Sequence, residues 1–254
     1  MTLKHDGAPL VSLAGLHTRA LDQLGLAICG GELAPGSSLT LEEIEERCGI
    51  SRSVARETVR VLEAMRLVAS RRRIGVVVLP ESEWNLYDSQ VIRWRLDSPD
   101  RAEQLASMVE LRAAIEPEAA RLAATRATAD EVSELIALSG QLWAAGEQGD
   151  DERFLELDVQ FHASILRLSG NAMIARLDGL IGQMLVSRTE HGLVPDRPAG
   201  VALQLHVDVA SAIQRRDADA AYEIMRSILV GALDEIDILS VAAERDVHLD
   251  GVGR

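Results

Sequence analysis

Leu16, Ala20, Leu24 and Ile28 recur every four residues, and this spacing predicts a first helix over about 12–30. The segment Gly30-Gly31-Glu32-Leu33-Ala34-Pro35-Gly36 is rich in turn formers and reads as a loop. Thr40 followed by Glu43 has the spacing of a capping box, in which each side chain satisfies the other's free backbone N–H. A helix should therefore start at Leu41, and Gly49 is placed to close it in the left-handed conformation. Ser51 then N-caps a further helix to about Met65, with Val54, Val59, Leu62 and Met65 as its buried stripe. Leu67-Val68 and Val76-Val77-Val78-Leu79 are aliphatic, β-rich runs that bound Arg71, Arg72, Arg73, Ile74 and Gly75. They read as a hairpin, or wing.

Beyond the wing the strand signals fade. Pro80-Glu81-Ser82 is a short linker, and residues 84–96 form a docking helix whose Trp84 and Trp94 are available to pack between domains. Helices follow over roughly 101–127, 129–148, 151–168, 171–190, 199–216 and 217–244. Thr128 with Glu131 supplies a second capping box, and Pro195 with Pro198 marks the longest break. The expected fold is mainly α, an N-terminal winged helix-turn-helix plus a C-terminal all-helical bundle. The expected limits are 1–80 for the winged domain, 81–98 for the linker and docking helix, 99–245 for the bundle and 246–254 for a tail.

Charge sharpens this division. The chain carries −14 overall. Residues 1–80 hold ten basic and nine acidic side chains, a balance of +1, so the remainder carries −15. Such asymmetry suits a nucleic-acid module joined to an acidic sensor or assembly module. Arg52, Arg56 and Arg60 are spaced to share one helix face, away from the apolar stripe. Guanidinium forks match guanine edges and phosphates, and a helix fits the major groove, so this face is a DNA-reading candidate. The wing adds Arg72 and Arg73, and Gly75 suits a point where backbone turns or approaches a phosphate closely. No apolar run reaches membrane-spanning length, the first ten residues lack a secretory pattern, and two cysteines suggest neither disulfides nor a zinc site. Cytoplasmic residence is expected.

The stretch LAPGSSLTLEEIEERCGISRSVARETVRVLEAMRLV resembles the GntR family of bacterial repressors. Glu110-Leu111-Arg112-x-x-x-Glu116, Asp158-Val159-Gln160-Phe161-His162 and Leu168-Ser169-Gly170-Asn171 resemble signatures of the FCD-type effector domain in the FadR subfamily. WNLYDSQVIRW is similar to the linker of sugar-acid-responsive members. By this resemblance Ser51, Arg52, Ser53 and Arg56 meet DNA at the start of the recognition helix, with Gly75 at the wing tip. Arg52 and Arg56 would take base edges or close phosphates, Arg72 and Arg73 the backbone. The family archetype has an arginine in the preceding helix where this chain has Glu42.

Asp158 and His162 are four apart on one helix and so point the same way. An aspartate with imidazoles suits a divalent transition metal such as Zn²⁺, Ni²⁺ or Mn²⁺. A buried hydrogen-bonded cluster is the alternative use of the same groups. The resemblance adds His206 as the next ligand and places Ile228 where the family's last histidine ligand falls, leaving three. It implies a small carboxylate effector, for which Arg112, Asn171 and Arg188 are candidate partners, although Asn171 also suits a helix cap. The implied function is a ligand-responsive, homodimeric repressor of double-stranded operator DNA rather than an enzyme, with a sugar acid as the leading effector. A helical metalloenzyme using Asp158, His162 and His206, and an adaptor without effector, are the other readings.

Overall fold

A computed structural model of the chain describes residues 13–190 and 200–231. They divide into two compact units, with the division between Arg101 and Ala102. In the first, α1 (Leu13–Cys29) leads through the glycine-rich loop to a two-residue strand β1 (Ser38–Leu39), then α2 (Leu41–Cys48) and α3 (Arg52–Ala64). The hairpin β2 (Val68–Arg71) and β3 (Gly75–Val78) follows. The sheet order is β1-β3-β2, all antiparallel, with Ser38 opposite Val77 and Arg71 opposite Gly75. This is the expected winged helix-turn-helix, with β1 added. Two residues carry no periodicity, so β1 was not legible in the sequence.

The expected caps explain most of these boundaries. Thr40 Oγ1 accepts from Glu43 N–H while Glu43 accepts from Thr40 N–H, and Gly49 closes α2 at φ 63°. Ser51 stands at the N-cap position of α3, yet its hydroxyl pairs with Ser53 Oγ at 3.1 Å and caps no backbone N–H. The stripe of Val54, Val59, Leu62 and Met65 is buried as expected, and Val59, Leu62 and Met65 join Leu24, Ile28 and Ile44 in one core.

The docking helix is shorter than expected. A 3₁₀ turn (Glu81–Glu83) and extended backbone at Trp84 precede α4 (Ser89–Leu96), whose start Asp88 caps through Gln90 N–H. Both tryptophans are used within the first unit, which corrects the expectation that they pack between domains. Trp94 is fully buried against α1 and donates its indole N–H to Asp22, 3.0 Å away. Trp84 packs on the same core and donates to Leu79 O at 2.9 Å.

The second unit is helical throughout its described residues. It comprises α5 (Arg101–Arg126), α6 (Ala129–Gln148), α7 (Asp151–Leu168), α8 (Ala172–Ala175), α9 (Asp178–Glu190), α10 (Gly200–Gln214) and α11 over 218–231. The helix expected over 171–190 is broken in two by a turn at 176–177, and Asp178 opens the second piece with its carboxylate on Gly179 N–H. Pro195, Pro198 and the expected continuation of the last helix to 244 lie outside the described residues. Helix α7 packs against α6 and α9, and α6 also against α10. No helix among the described residues is long and apolar enough to cross a membrane.

Candidate functional site

Helix α3 sends Val54, Val59 and Leu62 into the core, which leaves Arg52, Ser53, Arg56 and Arg60 exposed on the opposite face. Arg60 pairs with Glu57 at 3.1 Å, and Arg52 approaches Glu45 only to 3.9 Å. Among the described residues Arg56, Arg71, Arg72 and Arg73 make no ion pair, so their charge is available to a partner. A groove of about 350 Å³ separates α3 from the hairpin, with Arg56, Arg60 and Arg71 in its walls. Glu63, at the far end of α3, accepts Ser70 N–H at 2.7 Å and so ties the hairpin to the helix.

Gly75 is not the wing tip. It opens β3 opposite Arg71, and the turn itself is Arg72, Arg73 and Ile74, with Arg73 at φ 69° and Ile74 58% exposed. Gly75 has φ 111°, and a Cβ there would stand 2.5 Å from Leu39 O. Its lack of a side chain therefore serves the close approach of β1 to β3 rather than approach to a phosphate.

In the second unit, α7 and α10 bring Asp158, His162 and His206 together. His162 Nε2 lies 3.4 Å and His206 Nε2 3.1 Å from Asp158 Oδ1, and one ligand atom from each residue falls within 4.8 Å of the others. The imidazoles meet edge to face, 5.5 Å apart, and Phe161 packs against both rings. His206 Nδ1 lies 2.7 Å from Ala202 O. A carbonyl only accepts, so Nδ1 carries a proton, and in the neutral ring Nε2 is a bare lone pair. That nitrogen is buried and lies 3.1 Å from Asp158 Oδ1 without a hydrogen bond of good geometry. Two acceptors facing each other at this distance repel unless a cation or proton stands between them. The donor set of one carboxylate and two imidazoles fits a divalent transition metal.

Behind this trio lies Glu116 on α5. Its carboxylate bonds His162 Nδ1 on one oxygen and accepts from Arg112 Nε at 2.6 Å on the other. All three side chains are at most 4% exposed. Burial alone would raise the Glu116 carboxyl, but Arg112 and His162 outweigh it and hold the group at about 2. Burial alone would lower the His162 ring, yet Glu116 and Asp158 raise it to about 9. Asp158, opposed by burial but flanked by His162 and His206, is held well below the usual carboxylate range.

The effector candidates fare differently. Arg112 is committed through Nε to Glu116 and is itself buried, so it is a structural partner of the cluster. Asn171 accepts Met173 N–H at 2.9 Å, which makes it the N-cap of α8. The side chain of Arg188 lies outside the described residues. The Leu168-Ser169-Gly170-Asn171 motif is a helix junction: Ser169 O accepts from Arg126 at 2.8 Å and Gly170 turns at φ 63°. Glu116 was missed as a site residue, because its partner His162 is 46 positions away.

Residues 16–78 match the family described as bacterial regulatory proteins, gntR family, and residues 107–231 match the FCD domain. The chain is 31% identical to an uncharacterized HTH-type transcriptional regulator, YieP, of Escherichia coli, over 82% of this chain and 90% of that one. It is also 31% identical to the galactonate operon transcriptional repressor of Escherichia coli, over 84% of this chain and 93% of that one. A solved regulator, Lar of Listeria monocytogenes, shares the fold at a TM-score of 0.52 and 15% identity, covering 92% of this chain and 100% of that one. The exposed arginines of α3, the helical second unit and these matches agree: the chain is a transcriptional regulator belonging to the gntR family, with an FCD domain following its winged helix-turn-helix.

Proposed function

We propose that this regulator is a cytoplasmic homodimeric repressor whose FCD domain binds a divalent transition metal together with a small carboxylate, a sugar acid foremost. The buried, unpartnered Nε2 of His206 facing Asp158 carries the reading, since a cation is the partner that arrangement lacks. Asp158, His162 and His206 would hold the metal, which supplies positive charge and open coordination positions. Ile228 offers no ligand atom, so three protein ligands leave those positions to effector oxygens. With Arg112 tied to Glu116, the metal rather than an arginine receives the effector carboxylate. The name of the galactonate operon repressor, which is 31% identical, supports a sugar acid.

On the DNA side, Arg52 and Arg56 read base edges or close phosphates, Ser51 and Ser53 support them at the start of α3, and Arg72 and Arg73 hold the backbone. A homodimer sets two such helices about one helical turn apart on a pseudo-palindromic operator. The effector favours one arrangement of the two heads and shifts that population. A preference of about 3 kcal/mol changes operator occupancy roughly a hundredfold. Footprinting of the upstream region with metal-loaded protein, with and without aldonates, tests the proposal. Protection released by an aldonate in metal-loaded but not in chelator-treated protein supports it; protection indifferent to metal and to every acid overturns it.

A further inference from the structure

The acidic residue that closes the Glu110–Glu116 motif offers no ligand atom to the proposed metal centre, yet it is among the most deeply buried charges in the second unit. We propose that Glu116 is the positioning residue of this centre: anchored by Arg112, its carboxylate keeps the proton of His162 on Nδ1 and turns Nε2 toward Asp158 and His206. This rests on the metal reading and specifies how the chain builds the site.

The geometry carries it. A metal-ligating histidine almost always donates its other ring N–H to an acceptor that fixes its tautomer, and an ionised carboxylate is the strongest acceptor a side chain offers. Glu116 presents one oxygen to His162 Nδ1 and the other to Arg112 Nε, so its plane is fixed at both ends. His162 Nε2 is thereby directed to within 3.4 Å of Asp158 Oδ1. The second imidazole is held by the same logic with a different acceptor, Ala202 O, one turn back on α10. With a metal in place, both rings would keep their proton on Nδ1 and offer Nε2. The two holders are not equivalent: a carboxylate raises the basicity of the ring it holds more than a neutral carbonyl does. His162 is therefore the stronger imidazole donor of the pair.

Glutamine at 116 keeps the size but not the function. Its amide has one acceptor oxygen for two donors, His162 Nδ1–H and Arg112 Nε–H, so one of them must face an NH₂ group.

Titration calorimetry with Zn²⁺, Ni²⁺ and Mn²⁺ on wild type and Glu116→Gln, with melting curves to confirm folding, tests the role. Outer carboxylates of this kind are worth roughly ten- to a hundredfold in metal affinity, and a loss of that size is expected. In the Zn²⁺-loaded wild type, ¹H–¹⁵N correlation spectra should show His162 with its proton on Nδ1 and the metal on Nε2. That second readout needs no variant and no effector. Undiminished affinity in a folded Glu116→Gln protein, or a zinc-loaded His162 protonated on Nε2, overturns the assignment while leaving the metal centre standing. Wild type that takes up none of the three metals overturns both together.

Discussion

The indole of Trp94 occupies the space that any side chain at residue 25 would need. A Cβ built on Gly25 would stand 2.4 Å from the ring, far inside van der Waals contact. The last helix of the first unit is seated on α1 through this one glycine, and the Asp22 carboxylate receives both Trp94 Nε1 and Arg93.

Gly25→Ala should therefore lift α4 off α1. Overpacking a filled site costs about 1–3 kcal/mol, and this site is walled by a rigid ring rather than a flexible chain end. Denaturant titration should show that loss, accompanied by a shift in tryptophan emission as Trp94 gains exposure. A variant with wild-type midpoint and emission would mean that α4 is free to yield.

Arg52→Ala or Arg56→Ala should abolish specific operator binding without altering oligomeric state, since neither guanidinium packs in the core. Arg72→Gln and Arg73→Gln should weaken binding to operator and scrambled DNA alike. If each removes one phosphate partner, the salt dependence should flatten by roughly 0.9 in log–log slope per phosphate lost. Competition binding at several salt concentrations separates these classes. Loss of sequence preference in the wing variants would move base reading to the wing.

The buried cluster should make stability depend on pH in a stated direction when metal is removed. His162 is raised from 6.5 to about 9, so its contribution is complete below about 6.5 and disappears as pH climbs toward 9. Glu116 is lowered from 4.5 to about 2, so its contribution is complete above about 4.5 and disappears as pH falls toward 2. Chelator-treated protein should thus melt highest between about pH 4.5 and 6.5 as far as this cluster governs it. His162→Gln should remove the alkaline limb, and an unchanged limb in that variant would assign it elsewhere.

Much of the architecture is local and so could be read from the chain. Thr40 with Glu43, and Thr128 with Glu131, are spaced to cap regardless of what surrounds them, and both boxes form. Asp158 and His162 share a face through helix geometry alone. What escaped depends on residues distant in sequence. Trp94 read as an aromatic for packing between domains, because only Gly25, on another helix, supplies its seat. Gly75 looked like a wing tip because its real constraint, Leu39 O, comes from a two-residue strand with no pattern. Arg112 read as an open cation because nothing in the order of residues says that Glu116, one turn later, also faces His162 from across the bundle.

Asn171→Ala separates a structural from a binding role. As the cap of α8 it should cost between about 0.5 and 2 kcal/mol, nearer the lower figure because α8 is four residues long and exposed. The concentration of acid needed to release operator should not move. A shifted release midpoint at unchanged stability would return Asn171 to the effector site.

His206→Ala tests the sensor most directly, because it removes a ring of the trio whose buried Nε2 has no protein hydrogen bond to lose. If His206 were merely packed, truncation would cost stability through the cavity beside Phe161 and leave metal uptake unchanged. As a ligand, it should instead abolish stoichiometric metal and blunt release of operator by sugar acids. DNA affinity without effector should stay at the wild-type level, since the arginines proposed to read DNA all lie in the other unit. Metal analysis, melting and gel-shift titration of the same preparation distinguish the two outcomes: wild-type metal content with a lowered melting point would reduce the trio of Asp158, His162 and His206 to a buried hydrogen-bonded cluster.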